Sequence, residues 1–431
     1  NFSVANMLGE IERIVSFGIR RPGYDEDLRT EQHLLDRFNE LGLSDTRLEP
    51  VPVNYWQPVM NRLEVGEGAM NIPCFAVPYT GWTAADGLQA GAVYVGNGPD
   101  EAFDSGRVAG RIVVADMQFG ELNAAHLKAG SMFIHDPGDT IPDGPLHCAN
   151  WLIPNFRAYY ESWKRGASGF IGLLGEMPID GCELYVPYDG FLKKTPAAWV
   201  GREHAEAVRS AAVSGESFHF RSTGEGRTVD SHNVVGILPG RTDEFILLTC
   251  HHDAPFASAV EDASGLSVLL ALAEAFARST EPLERGLIFL ASSGHFHGGI
   301  GCRKFVDKHR GGLLEKIVAA IGIEHIAEEA QGDANGGYAK TGHTRTDYHR
   351  VKVLSLTCVG GSHQINPPLL IAIDKSCFLH QHGYLASIDG FRGGKIEHAM
   401  KPFEPWRRRD HLLAISDLTD YCHCCLVNLL G

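Results

Sequence analysis

From Asp230 onward, short apolar runs alternate with a longer amphipathic one, and this alternation constrains the fold more than any other feature of the chain. SHNVVGILPG, FILLTC, RGLIFLASS, IVAAIGIEH and VKVLSLTCVGG read as strands, and SGLSVLLALAEAFARS reads as a helix with one apolar face. Strands this apolar are buried on both sides. They imply an α/β fold with a mixed, largely parallel sheet flanked by helices, whose ligand site lies at the carboxyl ends of the strands.

The first half has a different texture. Two amphipathic helices, MLGEIERIVSF and LRTEQHLLDRFNELG, flank the turn-rich RRPGYDED, and Gly42 is a natural C-cap. From about Met70 to Arg227, β-type runs rich in Gly and Pro follow: GAVYVGNG, GRIVVADM, GFIGLLG and PAAWVG. Within them, Gly120 to Pro154 reads as an extended excursion or lid. At 431 residues the chain exceeds the usual size of one hydrophobic core. Residues 1–69 are therefore read as N-terminal helices of the catalytic unit, 70–227 as an inserted β-rich domain, and 228–431 as the metal-binding α/β unit.

Charge narrows the partners. Fifty-three acidic residues against 38 basic ones give −15, which repels both a phosphate backbone and an anionic membrane. A small-molecule substrate is expected, with no nucleic acid and no membrane. No window approaches a spanning length, and Glu10, Glu12 and Arg13 fall where a signal peptide needs an apolar run. Ten scattered Cys fit a reduced, cytoplasmic compartment. CHCC, Cys422 to Cys425, lacks the C-x-x-C separation of a zinc site and reads as thiols on a helix.

The chemistry concentrates in TCHHDAPFASAVEDASGLSVLLALAEAF. A buried strand ends in His251, His252 and Asp253, and Glu261 and Asp262 precede a helix start at Ser264. His251 can offer a ring nitrogen to a metal while Asp253, two residues on, orients the ligand sphere. So many ionisable groups converging at strand ends are costly unless a cation compensates them.

This run resembles the co-catalytic zinc aminopeptidase family, whose pattern is His-x-Asp followed by Gly-Ala-x-Asp-Asn/Asp-x-Ser-Gly. Here HHD and SAVEDASG stand, with Glu261 at the place of the metal-bridging Asp. RGLIFLASSGHFHGGIGCRKF is similar to the family's strand followed by Gly-Glu-Glu-x-Gly-Leu-x-Gly-Ser. AAIGIEHIA resembles the strand ending in a ligand Asp, with Glu324 at that position, and residues 70–227 resemble the protease-associated domain that many members insert. The resemblance implies His251, Glu261 and Glu324 as metal ligands.

The departures sharpen the expectation. After Gly294, His295 and Phe296 stand where the family has its general base and a ligand of the second metal. The family's late His falls on Trp406 in EPWRRRDHLL, with His398 as a competitor. Both unshared ligands of one metal are thus replaced, and one divalent transition metal, Mn or Zn, is expected. His295 is the expected replacement base, with His297 and His252 as alternatives, although His295 and His297 also suit metal binding as i, i+2 ligands. Phe296 and Trp406 offer aromatic surface, and Arg407, Arg408 and Arg409 offer guanidinium groups to a carboxylate.

This profile is similar to that of 5-nitroanthranilic acid aminohydrolases, one-metal deaminases on a peptidase scaffold. The expected function is hydrolysis of a C–N bond in a small, aromatic, anionic substrate. His295, His297 and Asp253 are then the catalytic candidates, and Phe296, Trp406, Arg407, Arg409 and His252 the substrate-binding ones. An amidase or exopeptidase is the runner-up. A third reading is an inactive homologue kept as a binding or assembly module. A homo-oligomer is the expected assembly.

Overall fold

The computed structural model describes residues 3–324, apart from 104–105, 120–123, 131–142, 145–155 and 178–179, together with the strand 355–360. Helices α1 (Val4–Ser16) and α2 (Asp25–Glu40) open the chain. Ser3 caps α1 by accepting from the Asn6 N–H, and Gly42, at φ +74°, turns the chain out of α2. Then come β1 (Ser44–Val65), β2 (Met70–Ile72), β3 (Cys74–Ala76), β4 (Leu88–Tyr94) and β5 (Ile112–Asp116). Helices α3 (Ala124–Gly130) and α4 (Arg157–Lys164), β6 (Gly169–Leu174), β7 (Ala197–Gly201) and α5 (Arg202–Val213) lead to β8 (Ser217–Leu238). The last part runs β9 (Phe245–His251), α6 (Gly265–Ala277), β10 (Gly286–Ser292), α7 (Ile300–His309), β11 (Ile317–Glu324) and β12 (Ser355–Gly360).

The strands pair in the order β12-β11-β9-β10-β8-β4-β5-β6-β7-β3, with β1 lying along β8. β9 runs parallel to β10 and β11, and β4 through β7 are parallel to one another, while β8, β12 and β3 join antiparallel. The fold is α/β, with a mixed sheet flanked by helices, as the alternation of runs predicts. On one face of the β9–β10 region, Ile11 and Ile14 of α1, Leu34 and Phe38 of α2, and Leu266, Leu269 and Leu270 of α6 pack on Leu248 and Phe289. On the other, Phe305 and Val306 of α7 pack on Leu247, Ile288 and Leu290.

β1 and β8 are each 22 residues long and pair from Ser44↔Ile237 to Val65↔Phe218. The end of β8 pairs with β10 and its start with β4, so this ribbon passes through both parts of the sheet. Arg227 and Thr228 lie inside one continuous strand rather than at a junction. The excursion read at Gly120 to Pro154 falls mostly outside the described residues; within it α3 is helical. Among the described residues no helix is long and apolar enough to cross a membrane.

Leu269, fully buried on α6, tests this core. Leu269→Ala is expected to lower the unfolding free energy by about 3 kcal/mol, read as a lower urea midpoint at unchanged slope.

Candidate metal centre

Three parallel strands deliver the site. His251 is the last residue of β9, Glu324 the last of β11, and His295 follows the end of β10. Glu261 sits in the irregular turn ahead of α6 and is joined to Asp262 by a cis peptide bond. One donor atom from each of His251, Glu261, His295 and Glu324 lies within 4.8 Å of all the others. His251 Nε2 is 3.2 Å from Glu261 Oε1, 3.7 Å from Asp262 Oδ2 and 3.9 Å from Glu324 Oε1. His295 Nε2 is 4.0 Å from Glu261 and 3.9 Å from Glu324, and its ring stacks on that of His251 at 4.1 Å.

The hydrogen bonds around His251 define its tautomer. Nδ1 donates to the Asp253 carbonyl at 2.9 Å, so Nε2 is left facing the carboxylates, buried and without a hydrogen-bond partner. A carbonyl accepting from one ring nitrogen fixes the ring and leaves the other nitrogen's lone pair for a metal. Separations of 3.2–4.0 Å between the donors bracket the roughly 3.3–3.4 Å between ligand atoms of a tetrahedral ion with bonds near 2.0 Å. Burial disfavours a charged His251, but its contact with Asp253 and the nearby charges of Glu261 and Asp262 raise its pKa well above the ordinary value. The cluster therefore attracts a cation, and a proton takes that place when nothing else does. Burial and the neighbouring His251 ring hold His295 below its ordinary pKa, which keeps its lone pair free. The residues fit a divalent ion.

His295, expected as a base, thus stands among the metal donors. Asp253, expected as catalytic, is fully buried, and its carboxylate accepts the backbone N–H of His295 at 3.0 Å and of Phe296 at 3.2 Å. Burial works against its charge, yet His251 and His295 hold its carboxyl well below the usual carboxylate range. It shapes the loop after β10 and lies against the His251 ring. His297, also expected as catalytic, turns away: its Nε2 meets the Asn54 carbonyl at 3.1 Å and its ring packs edge-on against Tyr79 at 4.7 Å. Gly190, at φ +62°, approaches that ring so closely that a Cβ there would lie 2.2 Å from it.

His252, expected to line the substrate site, is fully buried behind it. Its Nδ1 faces Asp27 Oδ1 at 2.8 Å and its Nε2 faces the His232 carbonyl at 2.8 Å. With acceptors on both ring nitrogens, the ring carries two protons. Burial opposes this, but the charges of Asp27, Glu31 and Asp253 push His252 up to about 9, while burial pushes Asp27 up to about 6. Asp27, Glu31 and His252 lie close enough together to suggest a second ion. Their atoms are already engaged: Asp27 accepts from Gly23 and Ser231, and Glu31 from Ser231 and His232.

Phe296, expected to bind substrate, lies beside the cluster, 2% exposed, edge-on to His295 at 4.9 Å and to His251 at 5.8 Å. Tyr188 and Tyr185 pack on it at 4.8 and 6.0 Å. Trp406, Arg407, Arg408, Arg409, His398 and the CHCC run lie outside the described residues.

Residues 233–357 match the sequence model of peptidase family M28. An aminopeptidase from Aneurinibacillus sp. strain AM-1 superposes with a TM-score of 0.56 at 19% identity, over 77% of this chain and 72% of its own. The fold is that of the M28 zinc aminopeptidases. A zinc aminopeptidase from Bacillus subtilis superposes with a TM-score of 0.54 at 17% identity, over 76% of this chain and 70% of its own. A glutamate carboxypeptidase 2 homolog of Caenorhabditis elegans is 25% identical over 209 residues, 46% of this chain and 26% of the relative, so the chain spans about a quarter of that relative's length.

Sequence reasoning missed the layer beneath this centre: Asp27, Glu31, Ser231 and His232, and the two arginines Arg20 and Arg21. The pair Asp27 and Glu31, four residues apart on α2, looks like a solvated helix face until His252 is placed beside it.

Proposed function

We propose that this chain is a metal-dependent hydrolase that cleaves an amide-type C–N bond of a small substrate, the exopeptidase chemistry of the proteins it resembles, at a centre built for one divalent ion. The buried cluster of His251, Glu261, His295 and Glu324, with the unpartnered Nε2 of His251 at its heart, carries this reading. These four residues would hold the ion, with zinc or manganese suiting two imidazoles and two carboxylates. When bound, it supplies Lewis acidity to a carbonyl and lowers the pKa of water beside it.

The protein's own residues do the rest. Glu324, 33% exposed and the most open of the four donors, would keep one carboxylate oxygen for the ion and use the other to take the proton of the attacking water and pass it to the leaving nitrogen. Asp253 fixes the His251 ring and the 295–296 backbone. Phe296 closes one side with an apolar face and contributes no donor where the resemblance places a second-metal carboxylate. Purified protein loaded with zinc or manganese is therefore expected to hold about one ion per chain by elemental analysis; two ions would overturn the one-metal centre.

The same aromatic wall favours a second reading, an aminohydrolase of the 5-nitroanthranilate type acting on a flat aromatic acid. Aminoacyl anilides, N-acyl amino acids and aminobenzoates separate the two. Amide cleavage supports the first, and ammonia release from aminobenzoates alone supports the second. Silence on all three with no metal uptake overturns both and favours the binding module.

A further inference from the structure

Two consecutive arginines follow α1, and both are buried, Arg20 at 0% and Arg21 at 5% exposure. Neither forms an ion pair among the described residues. Arg20 donates to the His252 and Ser258 carbonyls, leaves Nη1 buried without a hydrogen-bond partner, and lies in the field of Asp27, Asp262 and Asp253. Arg21 is held differently. Its Nε donates to the Pro255 carbonyl at 2.9 Å, and one terminal nitrogen reaches the Tyr24 hydroxyl at 3.5 Å. Beyond these it meets rings: its Cζ lies 4.7 Å from the Tyr185 centroid and 5.8 Å from those of Tyr24 and Phe256.

Those rings lead to the metal centre. Tyr185 packs edge-on against Phe296 at 6.0 Å, and Phe296 against His295 at 4.9 Å. The guanidinium thus stands behind one ring from Phe296, on the wall shared with the cluster. A permanently charged group withdrawn from water with no anion beside it is costly, and cation–π contacts return only part of that cost. Its planar fork matches a carboxylate bidentately, and the flanking rings suit a flat or apolar body between that carboxylate and the cluster.

We infer that Arg21 is the anion anchor of the substrate site, holding the carboxylate of a small substrate whose scissile C–N bond reaches the His251 and His295 cluster. This rests on the hydrolase reading and narrows it to substrates with a free carboxylate, either a peptide C-terminus or a ring carboxylate. An amide or ester of the same molecule cannot use the fork.

Calorimetric titration of the metal-free protein in chelator with benzoate and benzamide tests the anchor without an ion that could bind benzoate itself. The wild type is expected to prefer benzoate by about 10–100-fold, the worth of a charge-assisted hydrogen-bond pair. Arg21→Met is expected to lose the preference, and Arg21→Lys, which keeps the charge without the fork, to lose part of it. Equal binding of the two probes by the wild type overturns the inference, as does unchanged benzoate affinity in Arg21→Lys or in an Arg21→Met protein with wild-type near-UV dichroism.

Turnover of matched acid and amide pairs, Ala-Ala against Ala-Ala-amide and aminobenzoate against aminobenzamide, identifies the source of the carboxylate. Benzoate preference without turnover would sink the hydrolase reading and leave the anchor standing. Turnover indifferent to the carboxylate would do the reverse.

Discussion

Alanine at His251 is expected to leave a folded protein that holds no zinc or manganese and has no measurable turnover. His251 contributes the orphaned buried nitrogen, and without it Glu261, Asp262 and Glu324 remain as a like-charged group lacking its imidazole partner. The loss of metal affinity should exceed the roughly 10–100-fold that removing an outer-shell partner costs. Asp253→Asn, which disturbs the support of the 295–296 backbone and the carboxylate beside His251 without removing a donor, is expected to fall within that smaller range. Competition against a chromophoric chelator, with dichroism as the folding control, reads both. Wild-type metal retention in the alanine variant would remove the basis of the proposed function.

The second large effect is on stability. Asp27→Asn removes the counter-charge of a fully buried His252 while keeping the side chain's shape, so at pH 6.5 a loss of about 3–5 kcal/mol is expected. Its pH dependence follows from the direction of the shift. His252 is raised from 6.5 to about 9 in the folded state, so its stabilising contribution is complete below 6.5 and is lost as pH rises through 9. Asp27, raised from 3.8 to about 6, acts in the same sense at lower pH, because the fold favours its protonated form. The charged pair exists between about 6, where Asp27 takes a proton, and about 9, where His252 loses one, so thermal melts of metal-free wild type and variant should differ most inside that window and draw together outside it. A gap that widens from pH 6.5 to 9 would show that the pair is not held as an imidazolium and a carboxylate.

Patterning made the sheet readable and left the wiring of the site hidden. The runs FILLTC and GLIFLAS are almost wholly apolar, and only a strand covered on both faces asks for that. β1 carries Pro50, Pro52 and Pro58, which are tolerated because, among the described residues, its outer side has no partner strand over nearly all of its length. His251 was visible as an ionisable residue at a strand end, while Glu261 and Glu324 were singled out as ligands by the resemblance of SAVEDASG and AAIGIEHIA to the zinc aminopeptidase pattern. The opposite orientation of His252 was in principle visible too, since neighbouring residues leaving a strand point to opposite sides. What no pattern supplies is which polar side chain will be buried. Asp27, Glu31 and Arg21 have the spelling of a solvated turn and helix, and only tertiary contacts with the 252–258 segment and the aromatic row decide otherwise.

The long pair β1 and β8 carries a consequence for how substrate range can change. Because both strands run unbroken through both parts of the sheet, an exchange of residues 70–227 as one block would cut through β8 and its ladder with β1. Diversification in such a scaffold is confined to retuning side chains in place. The 185–190 stretch, which touches Phe296 through Tyr185 and Tyr188 and bridges His297 at Asp189, is where that retuning would register first.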